Sequence, residues 1–390
     1  MSTPLSQREV KKRDPQVKIE GRILYLTEDP DLIRRQLAGE DLEWVPAMKL
    51  RDNISTDEIT PAYICYYHDE TLGDFPYLGL QAGGEFPVNE KSVRQGGFAV
   101  SVSGKRRGKG SSREQSPYAE LMAGIKLVVA ENIERIYHQN CLNLGMLATT
   151  DFSVLERVKA GETIPLSVFT QGKDEVTRQI IEYGGLFNFN LARLQGKVVI
   201  PAIETAARPM TVAEKIFAKH MVTDLAKDEV GVKAVAPGDS GFVRCDLRFS
   251  HEYVTPMAAI FYESLVGKEV PLRDRDSVVF FRDHLTFLEM AMTQERIDAG
   301  LLTVAQSLAT KQAQFAKDQG ITLHGETPAG GSEAICHSKV TQSYALPGQL
   351  IIGTDSHTPH SGALGCVAFG VGTTAIFNSW ITKEIGRAHV

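Results

Sequence analysis

Histidine and carboxylate residues gather in the second half of this 390-residue chain. Six of its ten histidines fall between residues 251 and 360. Within that stretch Asp283 stands directly before His284, and Asp355 stands two positions before His357. A carboxylate beside an imidazole fixes the tautomer of the ring and raises its basicity, which suits proton transfer near neutral pH. The spacing therefore predicts a site that moves protons.

The same residues are predicted to lie at the ends of strands. The apolar run SVVFFRDH ends on Asp283 and His284, and the run LIIGTDSH ends on Asp355, Ser356 and His357. A third predicted strand, HSKVTQSYALPG, begins with His337. Ligands collect at the carboxyl ends of strands in open α/β sheets. Any one of these histidines, taken singly, is as well explained as a structural core or loop residue. Three sites at equivalent strand ends favour a functional group.

A basic, glycine-rich segment in the first half suits anion binding. It reads GKRRGKGSSREQSPYAELM, and Ser111 or Ser112 is predicted to cap a helix that runs through Tyr118 to Met122. A helix N-terminus offers unpaired N–H groups and a partial positive charge. Arg113, on the predicted first turn, adds a bidentate partner for a carboxylate. The segment therefore predicts a carboxylate or phosphate site, with a capped helix behind an exposed loop as the alternative.

Two nucleotide-binding motifs are excluded by spacing. A P-loop needs a serine or threonine after its Gly-Lys pair, whereas Gly110 follows Lys109. The glycine-rich run GALGCVAFGVGTT departs from the dinucleotide fingerprint and is followed by no suitably placed acidic residue. The net charge of -6 argues against a chain-wide affinity for nucleic acid, with the basic residues 105–109 as a local exception. Such a run is interpreted as a solvated loop, with a local RNA contact as the alternative.

Composition and element pattern predict a soluble α/β protein of more than one domain. Hydrophobic residues make up 43% of the chain, and no apolar run is long enough for a membrane span. Short β-like runs precede residue 207, and strands alternate with helices beyond it, which is typical of a doubly wound domain. Thr211 is predicted to cap a helix whose apolar face holds Val212, Ile216 and Phe217.

Cysteine use indicates a reducing compartment. The cysteines are odd in number and scattered, and none forms a C-x-x-C pair, so neither a disulfide framework nor a self-contained zinc or iron–sulfur motif is expected. The N-terminus carries no secretory signal. These features favour the cytoplasm. The cysteines are Cys65, Cys141, Cys245, Cys336 and Cys366.

Several blocks together resemble the aconitase and isopropylmalate dehydratase superfamily. GTDSHTPHSGALGCVAFGVGTT is similar to that family's D-S-H-T signature, and FFRDHLTF and ICHSKVTQSYALPG resemble two further catalytic segments. LRDNISTDEITPA and GKGSSREQSPYAELMAGIK resemble the swivelling domain of the family. The resemblance implies a swivelling domain over residues 1–207, part of an α/β/α catalytic domain over 208–383, and a probable non-native tail over 384–390.

The resemblance also implies a reaction, the reversible dehydration of a 2-hydroxy di- or tricarboxylate. In this family a [4Fe–4S] cluster acts on the hydroxyl and a serine removes the proton from carbon. The catalytic positions that match are Ser111 (preferred over its neighbour as base), Asp283, His284, His337, Asp355 and His357. The substrate-binding positions that match are Asp57, Ser112, Arg113 and Ser356, and the partner implied is a small carboxylate.

The sequence also departs from the family pattern. Gln115 and His360 replace residues common in the family, which leaves the substrate open among related hydroxy acids. The family's cluster-binding cysteine motifs do not occur, so no metal ligand is assigned, and Cys336 and Cys366 are interpreted as small buried residues. The closing EIGRAHV equals one frame of a common sequencing adaptor, so we expect a truncated chain that is inactive as written. Two alternatives are a mononuclear metallohydrolase built from the same histidines and a non-catalytic or RNA-binding protein on this scaffold.

Overall fold

The computed structural model describes residues 5–110, 113–198, 200–225 and 227–389. The chain divides into two compact units. The first unit is Lys11–Asn188, and the second comprises the residues up to Val10 together with those from Phe189 on. The division thus falls nineteen residues before the boundary predicted at 207. Residues of the 189–207 segment pack within the second unit, where Asn190 donates a hydrogen bond to Asn378 and Arg193 pairs with buried Glu384.

The first unit is built on a four-stranded parallel sheet with strand order β2-β3-β4-β5. A separate antiparallel pair joins β1 to β6. The strands of the first unit are β1 Gln16–Lys18, β2 Arg22–Tyr25, β3 Phe98–Ser103, β4 Leu127–Ala130, β5 Leu147–Thr149 and β6 Thr163–Pro165. Its helices are α1 Pro30–Leu37, α2 Thr56–Ile59, α3 Ser92–Gln95, α4 Gln115–Met122, α5 Arg135–Leu144, α6 Val154–Lys159, α7 Ser167–Thr170 and α8 Glu175–Glu182.

Both faces of this sheet are covered. Successive side chains of a strand point to opposite faces, so an apolar run such as LVVA buries residues on both sides. Val128 belongs to one apolar cluster, whereas Leu127 and Val129 belong to the other. This explains why these strands read as continuous apolar runs in the sequence.

The second unit is built on a five-stranded parallel sheet with strand order β12-β11-β10-β13-β14. Two antiparallel pairs, β7-β8 and β9-β15, accompany it. Its strands are β7 Val222–Asp224, β8 Glu229–Val230, β9 Ser240–Arg244, β10 Leu247–His251, β11 Val278–Phe281, β12 Thr322–His324, β13 Leu350–Gly353, β14 Val367–Gly370 and β15 Glu384–His389. Its helices are α9 Leu186–Leu194, which begins at the end of the first unit, α10 Val212–His220, α11 Thr255–Leu265, α12 Leu288–Ala291, α13 Gln294–Asp298, α14 Leu301–Gln319, α15 Cys336–Ser343 and α16 Thr373–Thr382.

Aromatic packing fixes the helices of the second unit on one face of its sheet. Trp380 is fully buried, and its ring centroid lies 5.6 Å from that of Phe280 on β11 and 5.4 Å from that of Phe315 on α14. The other face packs Phe249, Phe281 and the helix α15 residue Val340 into a second cluster. The sheet is thus covered on both faces, as parallel sheets require.

Most predicted elements are confirmed, including the α/β class with parallel sheets. Thr211 caps α10 in a reciprocal capping box with Glu214, and α14 is one of the helices that alternate with strands beyond residue 207. Two details of the predicted elements are wrong. Val212 is exposed rather than part of the buried face, and one of the β-like runs before residue 207, KVVIPAIET, forms no strand over its described residues. The segment expected as a non-native tail forms strand β15 against β9.

All five cysteines are free and buried, as the absence of a disulfide framework predicts. Among the described helices, none combines the length and the apolar character needed to cross a membrane.

Candidate active site

Three neighbouring strands of the second unit deliver polar side chains to one edge of the sheet. Strand β10 lies between β11 and β13 and runs parallel to both, so their carboxyl ends meet. Strand β10 ends on His251, Asp283 and His284 follow β11, and Asp355 follows β13. The predicted gathering of Asp283, His284 and Asp355 at equivalent strand ends is therefore observed. We call this group, with Glu252, Cys336 and His337, the strand-tip cluster.

Asp355 is the centre of the strand-tip cluster. Its Oδ2 atom lies 3.4 Å from His284 Nε2, and its Oδ1 atom lies 3.1 Å from His337 Nδ1. The backbone N–H of His357 donates to Oδ1 over 2.9 Å, which fixes the orientation of this buried carboxylate. The contact with His337 lacks hydrogen-bond alignment, so the buried His337 Nδ1 atom has no hydrogen-bond partner.

Asp283 connects the β11 strand end to helix α15. Its Oδ1 atom lies 2.7 Å from His284 Nδ1, and its Oδ2 atom accepts a 2.7 Å hydrogen bond from the backbone N–H of Cys336. A carboxylate at a helix N-terminus satisfies an otherwise unpaired N–H group and complements the helix dipole. The prediction that His337 opens a strand is therefore wrong. Residues 336–343 form a helix whose first N–H groups are held by Asp283.

His251 and Glu252 belong to the site, although the sequence did not single them out. Glu252 is fully buried, and its carboxylate accepts hydrogen bonds from the backbone N–H groups of Asp283, His284 and Leu285. The His251 ring stacks on that of His284 with centroids 4.0 Å apart, and its buried Nδ1 atom has no hydrogen-bond partner. The signal available in the sequence was their place at the end of the run LRFSHE, in the same relation to a strand as Asp283 and His284.

The two stacked histidines differ in protonation. Burial raises the cost of charging His251, and with the neighbouring His284 it lowers the pKa of His251 to about 4. Burial also lowers the pKa of His284, but hydrogen bonds with Asp283 and Asp355 outweigh it and raise that pKa to about 10. Burial raises the pKa of Asp355, but the hydrogen bond with His284 and the N–H of His357 hold it well below its ordinary value. A neutral ring thus lies against a charged one.

His324, at the end of β12, connects both flanks of helix α15. Its Nδ1 atom lies 2.8 Å from Glu333 Oε1, just before the helix, and its Nε2 atom lies 2.6 Å from the hydroxyl of Tyr344, just after it. The His324 ring also stacks on Phe281, with centroids 5.0 Å apart. The helix that carries Cys336 and His337 is therefore tied to the sheet at both ends.

Ser356 and His357 lie at the rim of the group rather than inside it. The side chain of His357 is 69% exposed, and its Nδ1 atom lies 3.5 Å from Asp355 Oδ1 and 3.2 Å from Ser356 Oγ. The centroid of its ring lies 5.0 Å from that of His337. These two residues therefore line the solvent side of the strand-tip cluster.

The two motif segments of the first unit lie side by side. Asp52 Oδ1 accepts from the backbone N–H of Lys105 over 2.6 Å, and Ile54 O accepts from Gly108 N over 2.8 Å. Gly108 has a φ of +80°, and a Cβ atom there would lie 2.2 Å from Tyr137. Glycine is therefore required where the basic loop turns into the unit.

Arg113 forms an ion pair with Asp57, so two predicted substrate-binding residues meet. The predicted helix start is wrong. Helix α4 begins at Gln115 with Glu114 as its N-cap residue, so Arg113 precedes the helix. The reason is tertiary: Ser116 donates to Thr56 O over 3.0 Å, which fixes the first turn against the neighbouring segment. Ser111 and Ser112 lie outside the described residues.

Lys105 and Arg106 are exposed, as predicted for a solvated loop over residues 105–109. The prediction is wrong for Arg107, which is fully buried. Its Nη2 atom donates to Glu120, to the Tyr77 hydroxyl over 2.9 Å and to Ser101 Oγ over 3.1 Å. Glu120 also accepts from the hydroxyl of Tyr137. We call these residues the arginine cluster. Its charges are compensated internally, which makes it a structural support of the loop.

The comparisons with known proteins agree with this geometry. The profile of the aconitase family (aconitate hydratase) matches residues 214–388, and that of the aconitase C-terminal domain matches residues 52–151. The isopropylmalate/citramalate isomerase small subunit of Methanocaldococcus jannaschii is 32% identical over 158 residues, which covers 40% of this chain and 90% of the relative. The chain belongs to the aconitase and isopropylmalate dehydratase superfamily. The resemblance predicted from the sequence is confirmed.

Two further superfamily relatives each match part of the chain. The 3-isopropylmalate dehydratase small subunit of Pyrobaculum aerophilum is 34% identical over 158 residues, which covers 37% of this chain and 93% of the relative. The large subunit of the same enzyme from Syntrophus aciditrophicus is 34% identical over 177 residues, which covers 45% of this chain. The chain spans 36% of the length of that large subunit.

The superfamily implies a [4Fe–4S] cluster, so the cysteines of the site matter. Such clusters are held mainly by cysteine thiolates, four in the ordinary case. The described part of the strand-tip cluster contains a single thiol, Cys336. Cys366 instead donates to Leu346 O over 3.1 Å, and buried Cys245 has a pKa raised by burial to about 12. The described residues therefore do not fit the ligand set of a [4Fe–4S] cluster.

Proposed function

We propose that this protein is a hydro-lyase that reversibly dehydrates a 2-hydroxy di- or tricarboxylate. The observation that carries the proposal is Asp355, whose two oxygens lie against the imidazoles of His284 and His337 at the carboxyl edge of a parallel sheet. The superfamily membership and the names of the relatives support the reaction class.

Arg113 is the proposed carboxylate-binding residue. Its guanidinium pairs with Asp57, a carboxylate whose side chain is 59% exposed. A substrate carboxylate offers the same planar acceptor and can replace that partner with two parallel hydrogen bonds. Ser111, with Ser112 beside it, remains the proposed base for the proton on carbon, on the resemblance alone.

His284 is the proposed cation beside the leaving hydroxyl. Because its pKa is raised to about 10, the ring stays charged near neutral pH. Both ring nitrogens face Asp283 and Asp355, so the ring would stabilise the charge that develops on the leaving hydroxyl electrostatically. Asp283 and Asp355 orient it, and Glu252 fixes the backbone that carries it. His337, His357 and Ser356 are the proposed polar lining through which the substrate or a water molecule is held.

We further propose that the complete enzyme uses a [4Fe–4S] cluster and that the 390 residues alone do not turn over substrate. The support is the superfamily membership together with the single thiol of the strand-tip cluster among the described residues. The proposed roles of Arg113, His284 and their partners concern binding and electrostatic stabilisation, and they hold for the chain itself.

The test separates binding from turnover. Isothermal titration of the purified chain with citrate, 2-isopropylmalate, 3-isopropylmalate, citramalate and dimethylmalate is expected to show at least one binder. Arg113→Lys should weaken that binder about tenfold, or ~1.4 kcal/mol, because lysine cannot form the bidentate pair. Arg106→Lys is the matched control, since Arg106 lies in the same loop and pairs with Glu134 at the surface. An equal loss of binding affinity in Arg113→Lys and Arg106→Lys would contradict the role of Arg113.

Turnover is measured on the same panel after anaerobic reconstitution with iron and sulfide. The chain alone should form no unsaturated acid, and it should take up no stoichiometric cluster. Steady formation of the unsaturated product by the chain would contradict the proposed inactivity. Failure of every hydroxy acid to bind the folded chain would contradict the substrate class.

A further inference from the structure

The strand-tip cluster offers ligands of three chemical kinds within reach of one point. One ligand atom from each of Cys336, His337 and Asp355 can be chosen so that all three lie within 4.8 Å of one another. A four-coordinate ion with ordinary bond lengths holds its ligand atoms ~3.4–3.8 Å apart, which requires only side-chain adjustment. A thiol, an imidazole and a carboxylate suit a single ion, whereas they do not suit an iron–sulfur cluster.

Two other groupings of the same region are less suited to an ion, because their ligand atoms already have partners. Both groupings include His284, whose Nδ1 atom lies 2.7 Å from Asp283 Oδ1 and whose Nε2 atom lies 3.4 Å from Asp355 Oδ2. His337 Nδ1 is different, since it is buried and has no hydrogen-bond partner. A buried ring nitrogen without a partner carries an unfavourable desolvation cost that a bound ion would remove.

We propose that Cys336, His337 and Asp355 bind one divalent transition-metal ion of the zinc class. The mixed sulfur, nitrogen and oxygen donors select Zn²⁺, Co²⁺ or Fe²⁺ over Mg²⁺ and Ca²⁺, which prefer oxygen donors alone. Three protein ligands leave one position open to water or to a small ligand.

The three ligands stand on rigid supports. Cys336 and His337 occupy the first turn of α15, where Asp283 holds the N–H of Cys336. Burial and the carboxylates of Asp283 and Asp355 raise the pKa of the Cys336 thiol well above its ordinary value, so the charge of the ion is what would stabilise the thiolate. Asp355 is oriented by the N–H of His357. The His337 side chain is 21% exposed, which gives an ion a route from solvent. On binding, the Cys336 S–H bond breaks, a sulfur–metal bond forms, and the proton leaves to solvent.

This site goes beyond the proposed hydro-lyase function and does not depend on it. The probe is Co²⁺, added anaerobically to the full chain after removal of metal by a chelator. The expected result is one Co²⁺ bound per chain, with a thiolate-to-cobalt charge-transfer band in the near ultraviolet. Displacement by Zn²⁺ should abolish the band.

Variants assign the ligands. Cys336→Ser should abolish the charge-transfer band, whereas Cys366→Ser, a second buried cysteine of the same unit outside the ligand group, should keep it. Because Cys336 is fully buried and its replacement can unfold the unit, His337→Ala provides a second arm. It should weaken Co²⁺ binding more than ~100-fold, since even an outer-shell loss costs 10–100-fold. Circular dichroism establishes that each variant is folded.

Two results would overturn the site: a folded chain that shows no thiolate band, or a band that survives Cys336→Ser. Either can occur while hydroxy acids still bind in an Arg113-dependent manner. Conversely, a chain that binds Co²⁺ through Cys336 but no hydroxy acid would count only against the hydro-lyase proposal.

Discussion

The arginine cluster and the strand-tip cluster are both buried and polar, but they differ in how their charges are balanced. In the arginine cluster, one guanidinium meets one carboxylate, and tyrosine hydroxyls complete the contacts. In the strand-tip cluster, the carboxylates of Glu252, Asp283 and Asp355 surround histidines whose charge depends on pH. Two of those histidines retain a buried ring nitrogen without a hydrogen-bond partner.

The difference separates support from chemistry. Unpartnered atoms alone do not make the distinction, because Nε and Nη1 of Arg107 are also buried without a hydrogen-bond partner. A buried group whose charges match one to one has one stable arrangement, so it defines the shape of a loop. A group whose histidine pKa values are strongly shifted in opposite directions retains capacity to bind or to exchange protons. Each prediction below tests whether that division is real, and the expected effects decrease from the first to the last.

The largest effect is expected where the balanced pair is broken. Glu120→Gln removes the charge that compensates fully buried Arg107, and breaking a buried pair costs ~3–5 kcal/mol. The control is Glu134→Gln, which removes the partner of Arg106 in the same loop but at the surface, where pairs contribute ~0–1 kcal/mol. If Glu120→Gln lowers the unfolding free energy of the first unit no more than Glu134→Gln does, the arginine cluster does not support the loop.

The chain allows each unit to be followed separately. It contains two tryptophans, Trp44 packed on the core of the first unit and Trp380 buried in the second. In a Trp380→Phe background, Trp44 fluorescence reports unfolding of the first unit during urea denaturation. In a Trp44→Phe background, Trp380 reports the second.

The next effect concerns the residue that holds the strand tips together. Glu252→Gln replaces one acceptor oxygen by a donor, which leaves at least one of three backbone N–H groups unpaired. The expected loss of unfolding free energy in the second unit is ~1–3 kcal/mol. Glu263→Gln, on α11 of the same unit, is the control, because its partner Lys311 is partly exposed. If Glu252→Gln leaves the unfolding free energy of the second unit unchanged, the role assigned to its carboxylate is contradicted.

A pH series tests the opposite shifts of the stacked histidines. The pKa of His284 is raised to about 10, so its stabilisation is complete below its unfolded value of 6.5 and is lost as pH rises toward 10. The pKa of His251 is lowered to about 4, so stability is lost as pH falls from 6.5 toward 4.

The unfolding free energy of the second unit is measured through Trp380 as pH rises from 6.5 toward 10. In His284→Gln, the loss of unfolding free energy over this range should be smaller by ~1–2 kcal/mol, a figure reduced for solvent screening of a ring that is 31% exposed. In the control His360→Gln, which replaces an exposed histidine of the same unit, that loss should be unchanged. NMR titration provides a direct check: His284 titrating near 6.5 would disprove the paired, charged state.

The smallest effect on stability is expected at the ion pair between Asp57 and Arg113. Asp57→Asn should change the stability of the first unit by less than ~1 kcal/mol, because Asp57 is mostly exposed. The same variant should strengthen binding of the hydroxy acid identified by titration, since Asp57 no longer competes with the substrate carboxylate for Arg113. Weaker binding would instead make Asp57 a direct contributor to substrate binding.

The sequence was sufficient to predict the α/β class, the main strands and part of the site. Asp283, His284 and Asp355 were predictable because parallel strands place their carboxyl ends at one edge and each residue follows an apolar run. The capping box at Thr211 was predictable because it is local in sequence.

What escaped prediction depends on distant contacts. Residues 336–343 form a helix because Asp283 holds its first N–H, and α4 starts late because Ser116 bonds to Thr56. Arg107 looked like a solvated charge, since its partner Glu120 is thirteen residues further on and two tyrosines come from other elements. His251 and Glu252 were overlooked although they form an adjacent pair at the end of the run LRFSHE, because the order of histidine and carboxylate is the reverse of that in Asp283-His284.

The strand order also bears on how the protein is made. Strand β10 carries His251 and occupies the centre of its sheet, yet β11 follows it closely in sequence and β13 is synthesised only after α14 and α15. Until Leu350–Gly353 leaves the ribosome, one edge of the nascent β10 has unpaired backbone groups, which invite pairing with other chains. That edge of β10 is closed only when β13 is added, so the central strand of the finished sheet is an edge strand for part of its synthesis.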